Sequence, residues 1–193
     1  MCYVSRFMSG RTSPGSLALP ASTLFRVALL ALVSAQARAH EPVRFGSNDV
    51  KIVFAIGKSD DHNQVQYALR LTPDCLPATK APVFGYWRLY DDHERLLPMS
   101  WLDSIAYGIG SQAVKSSEVT MTIKTAPDRV ISIEVGRDAD GRCSARPYVS
   151  ILGHRARLSL IFLKLSGPLS VSWVEIRGTS VDTGEPVVER VLP

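Results

Sequence analysis

Two short polar runs carry the residue types that bind metal ions or transfer protons. One run is Asp91-Asp92-His93-Glu94 and the other is Asp60-Asp61-His62. Carboxylate oxygens bind divalent cations, and carboxyl and imidazole groups act as general acids and bases. One hypothesis is therefore a metal-binding protein, or a metal-dependent enzyme, that joins a histidine with Asp91 or Asp92. Such runs are also typical of solvated turns between strands, and we favour that interpretation.

Aromatic residues form a second candidate site. Tyr86 and Trp87 fall on one expected strand, Tyr67 on another, and Tyr107 on an expected helix. Because side chains alternate along a strand, Tyr86 is expected on the face opposite Trp87. These four side chains are the lining we expect if the domain holds a small apolar ligand. Core packing with hydroxyls at the rim is the more usual role of such residues.

Familiar catalytic spacings are absent from the sequence. It contains no G-x-S-x-G, H-E-x-x-H, S-x-x-K or phosphate-binding G-x-x-x-x-G-K. Asp138-x-Asp140-Gly141 matches only the start of a calcium loop and is better explained as a hairpin turn. We therefore predict no catalytic residue and no cofactor, and we lean against an enzyme.

The first 39 residues are typical of a signal peptide. Residues 1–39 contain arginines but no acidic residue, and a short apolar run at 27–33 precedes Ala37-Arg38-Ala39. A small-x-small triplet after an apolar run is where signal peptidase cleaves. We predict a mature domain that starts at His40 and works in the periplasm or outside the cell. An amphipathic tail is the alternative.

Removal of this leader would change the net charge of the protein and its N-terminal residue. The remaining acidic and basic residues balance, so the overall charge of +4 gives no reason to expect nucleic-acid binding. His40 would offer its amine and imidazole as adjacent ligands, which with a second histidine suits Cu(II), although a solvated terminus explains it as well. No segment after the leader is apolar and long enough to span a membrane as a helix.

The two cysteines of the mature region suggest a disulfide. Cys75 and Cys143 have no metal-binding spacing, and an exported protein meets an oxidising compartment. Two free buried thiols are the alternative. In the chain-entropy model, a bridge between them would stabilise the folded state by about 4 kcal/mol.

The mature region alternates apolar and polar residues with the period of β-strands. We expect a mainly β domain, an antiparallel barrel or sandwich of about nine strands with one short helix. The helix should begin at Ser100-x-x-Asp103, end at Gly108 and pack Trp101 against the sheet. The expected strands are 51–58, 64–71, 83–90, 118–125, 130–135, 144–152, 157–165, 170–177 and 186–192.

Four sequence blocks resemble one family. They are Val53-Phe54-Ala55-Ile56 through Tyr67, then Pro82-Val83-x-x-Tyr86-Trp87, then Leu97 with Ala106-Tyr107-Gly108, and finally Ile176-x-Gly178 through Glu189. In this order they resemble the uncharacterised bacterial family DUF4833 over about residues 50–192. The family's turn after the first strand holds more Asn and Lys than the turn at 60–63 here. The resemblance implies an exported β-rich domain and brings no catalytic residues.

The sequence alone thus leaves the function open among three hypotheses. The first is an exported binding domain for a small ligand or a partner peptide. The second is a structural or assembly module of the cell envelope, whose partner would be another envelope protein. The third is a metal-binding protein that uses His40, His62 or His93.

Overall fold

The computed structural model describes residues 49–167 and 170–192, which lie within the compact unit Arg44–Pro193. The predicted leader and His40 fall outside the described residues. Among the residues that are described, no helix has the length and apolar character to cross a membrane.

Eleven strands make up most of the described chain. A 3-10 turn, Tyr90–Asp92, lies between the third and fourth strands, and one helical turn, α1 (Asp103–Ala106), precedes the fifth. The strands are β1 (Val50–Lys58), β2 (Asp61–Arg70), β3 (Val83–Leu89), β4 (Arg95–Pro98), β5 (Ile109–Lys115), β6 (Glu118–Ile123), β7 (Ala126–Arg137), β8 (Cys143–Ile151), β9 (His154–Gly167), β10 (Ser170–Ser180) and β11 (Pro186–Val191).

The long strand β9 is the centre of the sheet. The hydrogen-bonded order is β4-β3-β2-β1-β9-β8-β7-β6-β5, with β10 on the other edge of β9 and β11 beyond it. The start of β9 pairs antiparallel with β8 at residues 154–157, and its second half pairs parallel with β1 at residues 160–163. All other strand pairs are antiparallel.

One continuous apolar core lies along the inward faces of these strands. Phe54 of β1 stacks on Tyr67 of β2, with ring centroids 4.6 Å apart. Strands β6, β7, β9 and β10 add fully buried aliphatic side chains. The largest of these are Met121, Ile123, Ile131, Ile133, Ile161, Leu163 and Ile176. Burial of this apolar surface is the main driving force for folding.

The two arms of the sheet approach each other at β3 and β5. The Gln112 carboxamide receives a hydrogen bond from the Val83 N–H at 3.1 Å and donates one to the Val83 carbonyl at 3.3 Å. One side-chain amide thus satisfies both backbone groups of a β3 residue. The hydrogen-bonded strand path of the described residues still ends at β4 and β5, so the expected barrel is not confirmed, whereas the mainly β class is.

Each of the nine expected strands corresponds to an observed strand, and β4 and β5 were not expected. The expected helix is wrong in length and in packing. It is one turn, and Trp101 and Ile105 are 74% and 60% exposed instead of lying against the sheet. The hydrogen bonds expected of the capping box do form, since the Ser100 N–H and the Asp103 N–H bond each other's side chains at 2.8 and 3.2 Å, but the helical turn itself begins only at Asp103. An apolar stripe therefore does not by itself show what a short helix packs on.

The expected disulfide joins Cys75 and Cys143, which are both buried. It connects the β2–β3 connection to the start of β8, across 68 residues of sequence. A structural disulfide persists in oxidising compartments, so this bond is consistent with an exported protein.

Candidate functional site

A groove of about 390 Å³ lies at the turn between β1 and β2. Its lining comes from four adjacent strands, β2, β1, β9 and β10, and from the turn itself. The residues are Gly57, Lys58, Ser59, Asp60, Asp61, His62, Gln64, Leu160, Phe162 and Arg177. Ligand sites of small molecules fall in this range of volume and combine apolar walls with a few polar groups.

Gly57 opens the groove because it leaves the next-to-last position of β1 without a side chain. It pairs with Phe162 of β9, and a Cβ built on Gly57 would meet the Phe162 ring at 3.6 Å and Leu160 at 3.8 Å. These are ordinary contact distances, so the strand does not require glycine for steric reasons. The missing side chain instead exposes the flanks of Phe162 and Leu160, which form the apolar wall.

Polar groups converge on this groove from both sides. His62 and Gln64 lie on β2, and Arg177 lies on β10 beside Leu160. The Gln64 carboxamide oxygen accepts a long hydrogen bond of 3.5 Å from Tyr90. The Arg177 guanidinium lies 5.6 Å from the centre of the Phe162 ring, within the range of a cation–π contact.

Glu175 fixes the position of Arg177. Its Oε1 accepts from Arg177 Nε at 2.6 Å, and its Oε2 accepts from Arg190 at 3.0 Å. The hydrogen bonds from Arg190 and Arg177 lower the pKa of Glu175 below its usual range. The carboxylate is thus ionised at neutral pH and holds two guanidiniums in place.

A second cluster lies on the inward face behind the turn. Trp87 contacts Tyr107 edge to face, with ring centroids 5.5 Å apart, and the Lys58 ammonium lies 5.4 Å from the Trp87 ring. Lys58 also pairs with Asp61 at 2.9 Å, and this hydrogen bond raises the pKa of the Lys58 ammonium. Since Lys58 and Asp61 also line the groove, the cluster supports one end of the groove from behind.

The carboxylates of this cluster are held ionised. Burial raises the pKa of Asp61, but hydrogen bonds from Lys58 and the Asn63 N–H outweigh it, and the net pKa is lowered. Partial burial also raises the pKa of Asp103, but hydrogen bonds from Ser100 and Trp87 outweigh it, so the net pKa of Asp103 is lowered. These two carboxylates are therefore ionised at neutral pH.

The four aromatic residues expected to line a ligand cavity do not share one surface. Tyr67 is fully buried and donates its hydroxyl hydrogen to the Tyr107 carbonyl, and Trp87 packs beside them. Burial raises the pKa of Tyr67. Tyr86 lies on the outer face, where its hydroxyl donates to Gln66 at 2.9 Å and burial raises its pKa to about 12. That outer face is also the face of the groove.

The polar runs proposed as metal ligands are engaged in turn structure. In the run at 91–94, Asp92 pairs with Arg95 at 2.6 Å, Glu94 pairs with Arg88 at 2.5 Å, and the His93 side chain is fully exposed. Asp138 accepts hydrogen bonds from the backbone of its own hairpin turn. Within residues 49–167 and 170–192, no three His, Cys, Asp or Glu side chains are grouped to hold a metal ion. His62 contributes to the groove.

A family model matches residues 54–190, which is well over half of the chain. The chain belongs to DUF4833, a family described as a domain of unknown function. The match runs from the middle of β1 to nearly the end of β11, so it includes residues of every described strand. No curated protein and no solved structure matches the chain.

Three groove residues of this DUF4833 domain were not found from the sequence. Leu160, Phe162 and Arg177 lie about 100 residues from the turn, and only the parallel pairing of β1 with β9 brings them to it. One signal was present, since a glycine inside a strand marks a place where another group approaches closely. Gly57 is that residue, and its partner depends on a strand register that no local pattern reveals.

Proposed function

We propose that this DUF4833 domain is an exported binding domain and that the groove at the β1–β2 turn holds a small ligand or the end of a partner peptide. The observation that carries the proposal is the groove itself. It has a glycine floor at Gly57, an apolar wall at Leu160 and Phe162, and the polar groups of Gln64 and Arg177 at its sides.

The placement of the groove supports binding more than catalysis. Two ion pairs lie at the groove, Lys58 with Asp61 and Arg177 with Glu175. Paired ions orient a ligand well, and the pKa values of Lys58, Asp61 and Glu175 are shifted away from neutral pH, whereas a group that transfers protons there has its pKa shifted towards it. We therefore favour a binding domain over an enzyme.

Two features support an exported location, in the periplasm or outside the cell. The leader predicted at residues 1–39 ends in a cleavage triplet, and the Cys75–Cys143 disulfide suits an oxidising compartment.

We place the ligand in the groove instead of among the aromatic residues, because Tyr67 is fully buried in the core.

The test is a fragment screen by NMR with the mature domain, which compares the wild type with Gly57→Val. Valine suits a strand, and a Cβ at Gly57 would meet side-chain atoms only at ordinary contact distances, so the variant should fold while its methyl groups fill the groove. Gly136→Val is the matched control, since Gly136 lies in β7 with open space around its Cβ and does not line the groove. We expect fragments to shift groove amides in the wild type and the control but not in Gly57→Val. Equal binding by all three proteins would contradict the proposal.

A second candidate is a structural or assembly module of the envelope. It is favoured by the exposure of Trp101, Leu102 and Ile105, which are 74%, 59% and 60% accessible around α1. Exposed large apolar side chains in a group mark surfaces for protein contacts. Here Trp101→Ser with Ile105→Ser would keep the melting temperature but release the domain from the envelope fraction of an exporting cell. Unchanged fractionation of that variant would reject this candidate.

A further inference from the structure

We propose that the groove recognises an anion, and that Arg177 binds the carboxylate or phosphate group of a small molecule whose apolar part lies on Phe162. This inference rests on the proposed function and deepens it by naming the chemical class of the ligand. It stands on charge, on hydrogen-bond geometry and on the apolar wall.

Three ionised side chains lie together on the neighbouring strands β10 and β11. Arg177 and Arg190 share one carboxylate, that of Glu175, at 2.5 and 3.0 Å. Two guanidiniums and one carboxylate leave a net charge of +1. The Glu175 side chain is only 9% exposed, whereas the Arg177 side chain is 46% exposed. The surplus positive charge is therefore presented to solvent by the arginines.

The hydrogen bonds of Arg177 leave a donor for a ligand. Its Nε and Nη2 both contact Glu175 Oε1, at 2.6 and 2.5 Å. Its Nη1 has no hydrogen-bond partner among the described residues. Because one edge of the guanidinium is held by Glu175, the remaining donor is fixed in orientation before a ligand arrives. Arginine binds carboxylate and phosphate through such planar donors.

The surroundings of Arg177 suit an anion attached to an apolar body. The Phe162 ring lies below the guanidinium, and Gly57 leaves the ring accessible from β1. The Gln64 carboxamide, whose oxygen is engaged by Tyr90, offers its NH₂ group from β2. A ligand across these strands would meet donors at both sides and an apolar surface between them.

The acidic residues of the groove lie at its other end. Asp61 is paired with Lys58, so its charge is balanced, and Asp60 belongs to the turn itself. An anionic group is therefore directed away from Asp60 and towards Arg177. The part of the ligand that reaches the turn must be neutral or positively charged.

The experiment measures binding of four aromatic probes to the mature domain by NMR titration. The probes are phenyl phosphate, benzoate, benzyl alcohol and benzylamine, which share a ring and differ in charge. We expect the two anions to shift the signals of Gly57 and Gln64 and to bind at least tenfold more tightly than the alcohol and the amine. The anion of higher affinity shows whether phosphate or carboxylate is preferred.

Variants then assign the effect to Arg177. We expect Arg177→Gln to weaken anion binding at least tenfold and Arg177→Lys to restore it only in part, because lysine lacks the planar donors. Arg142→Gln is the control, since Arg142 also pairs with carboxylates but lies in the β7–β8 turn. The titration of the wild type with the four probes needs no variant, so it tests the inference even if a variant misfolds. Added NaCl should weaken phenyl phosphate binding and leave benzyl alcohol unaffected.

The outcomes separate this inference from the proposed function. Groove binding of benzyl alcohol or benzylamine as tight as that of the anions, unchanged in Arg177→Gln, would overturn the anion inference and leave the binding domain standing. If none of the four probes shifts any groove signal at millimolar concentration, the inference is rejected. Binding of other neutral fragments in the groove would then still support the proposed function.

Discussion

The Glu189 carboxylate of β11 accepts a hydrogen bond of 2.8 Å from the backbone N–H of Leu152 in the β8–β9 turn. Its other oxygen pairs with Arg129 of β7. One side chain of the last strand thus joins two other parts of the fold, and the Glu189 side chain is only 15% exposed. Glu189 also belongs to the C-terminal block by which the sequence resembles its family, so that block has a structural role.

We predict that Glu189→Ala lowers the free energy of unfolding by about 2–3 kcal/mol, because the Leu152 N–H and Arg129 lose a charged partner. Glu189→Gln keeps an acceptor for the N–H and should cost about 1 kcal/mol. Urea unfolding measures both. Glu185→Ala, on the exposed turn before β11, should change stability by less than about 0.5 kcal/mol. A Glu189→Ala protein as stable as this control would show that the link contributes nothing.

The same link predicts a pH dependence. The hydrogen bond from Leu152, followed by Arg129, lowers the pKa of Glu189 below its usual value of 4.5. A lowered pKa in the folded state adds stability above the unfolded pKa, and that stability is lost as the pH falls through the folded pKa. The difference in unfolding free energy between the wild type and Glu189→Gln should therefore be full at pH 7 and shrink below about pH 4.5. A constant difference down to pH 2 would contradict this assignment.

We predict that Leu152→Asn stabilises the domain by about 1 kcal/mol. Leu152 and Gly153 have φ values of 52° and 82°, the left-handed conformation in which Asn-Gly is the preferred pair of a hairpin turn. The Leu152 side chain is 63% exposed, so little apolar burial is lost. Thermal unfolding checks the gain. Leu152→Ala keeps the unfavourable conformation and should bring no gain, so an equal gain in both variants would point to a cause other than the turn.

Removal of the disulfide should be the most costly of these changes. The bond between Cys75 and Cys143 spans 68 residues, and in the chain-entropy model a loop of that length contributes about 4 kcal/mol. We expect the double variant with serine at both positions to lose that amount in urea unfolding. The wild type in reductant should behave like the variant. If reductant leaves the wild-type transition unmoved and the protein mass does not change, the bond does not form.

Tyr67→Phe tests the junction between the core and the aromatic cluster. The hydroxyl donates to the Tyr107 carbonyl in a partly buried hydrogen bond, so its loss removes that carbonyl's partner and should cost about 1–2 kcal/mol. Tyr90→Phe is the control, because Tyr90 is partly exposed and its hydrogen bond to Gln64 is long, at 3.5 Å. Its effect on stability should be near zero. Equal effects of the two substitutions would contradict the role assigned to Tyr67.

Strands were predictable where alternation is clear and local. In β2 the side chains of Val65, Tyr67 and Leu69, which are all fully buried, alternate with Gln64, Gln66, Ala68 and Arg70. β4 has only four residues and ends at Pro98, so it is too short for a period to show. β5 has polar and glycine residues at its start, because part of its contact with β3 is made by the Gln112 carboxamide.

The groove was not predictable because it depends on which strands are neighbours. The sequence indicated Asp60-Asp61-His62 as a polar turn with chemical potential, and the turn does line the groove. Phe162 and Arg177 come from β9 and β10, and alternation shows only that they point away from the core. Their position at the groove follows from the parallel register of β1 with β9 and the antiparallel register of β9 with β10, which local residue types do not encode.

We propose, above all, that this DUF4833 domain is exported and holds a ligand at Gly57. The most direct test is native mass spectrometry of protein exported from a bacterial host, with the wild type, Gly57→Val and Gly136→Val compared after identical purification and after addition of phenyl phosphate. We predict a mature chain that begins at His40 and is two hydrogens lighter until reduced. We also predict a bound adduct in the wild type and Gly136→Val that Gly57→Val lacks. An uncut chain would contradict export, and no adduct in any protein, or the same adduct in all three, would contradict a binding site in the groove.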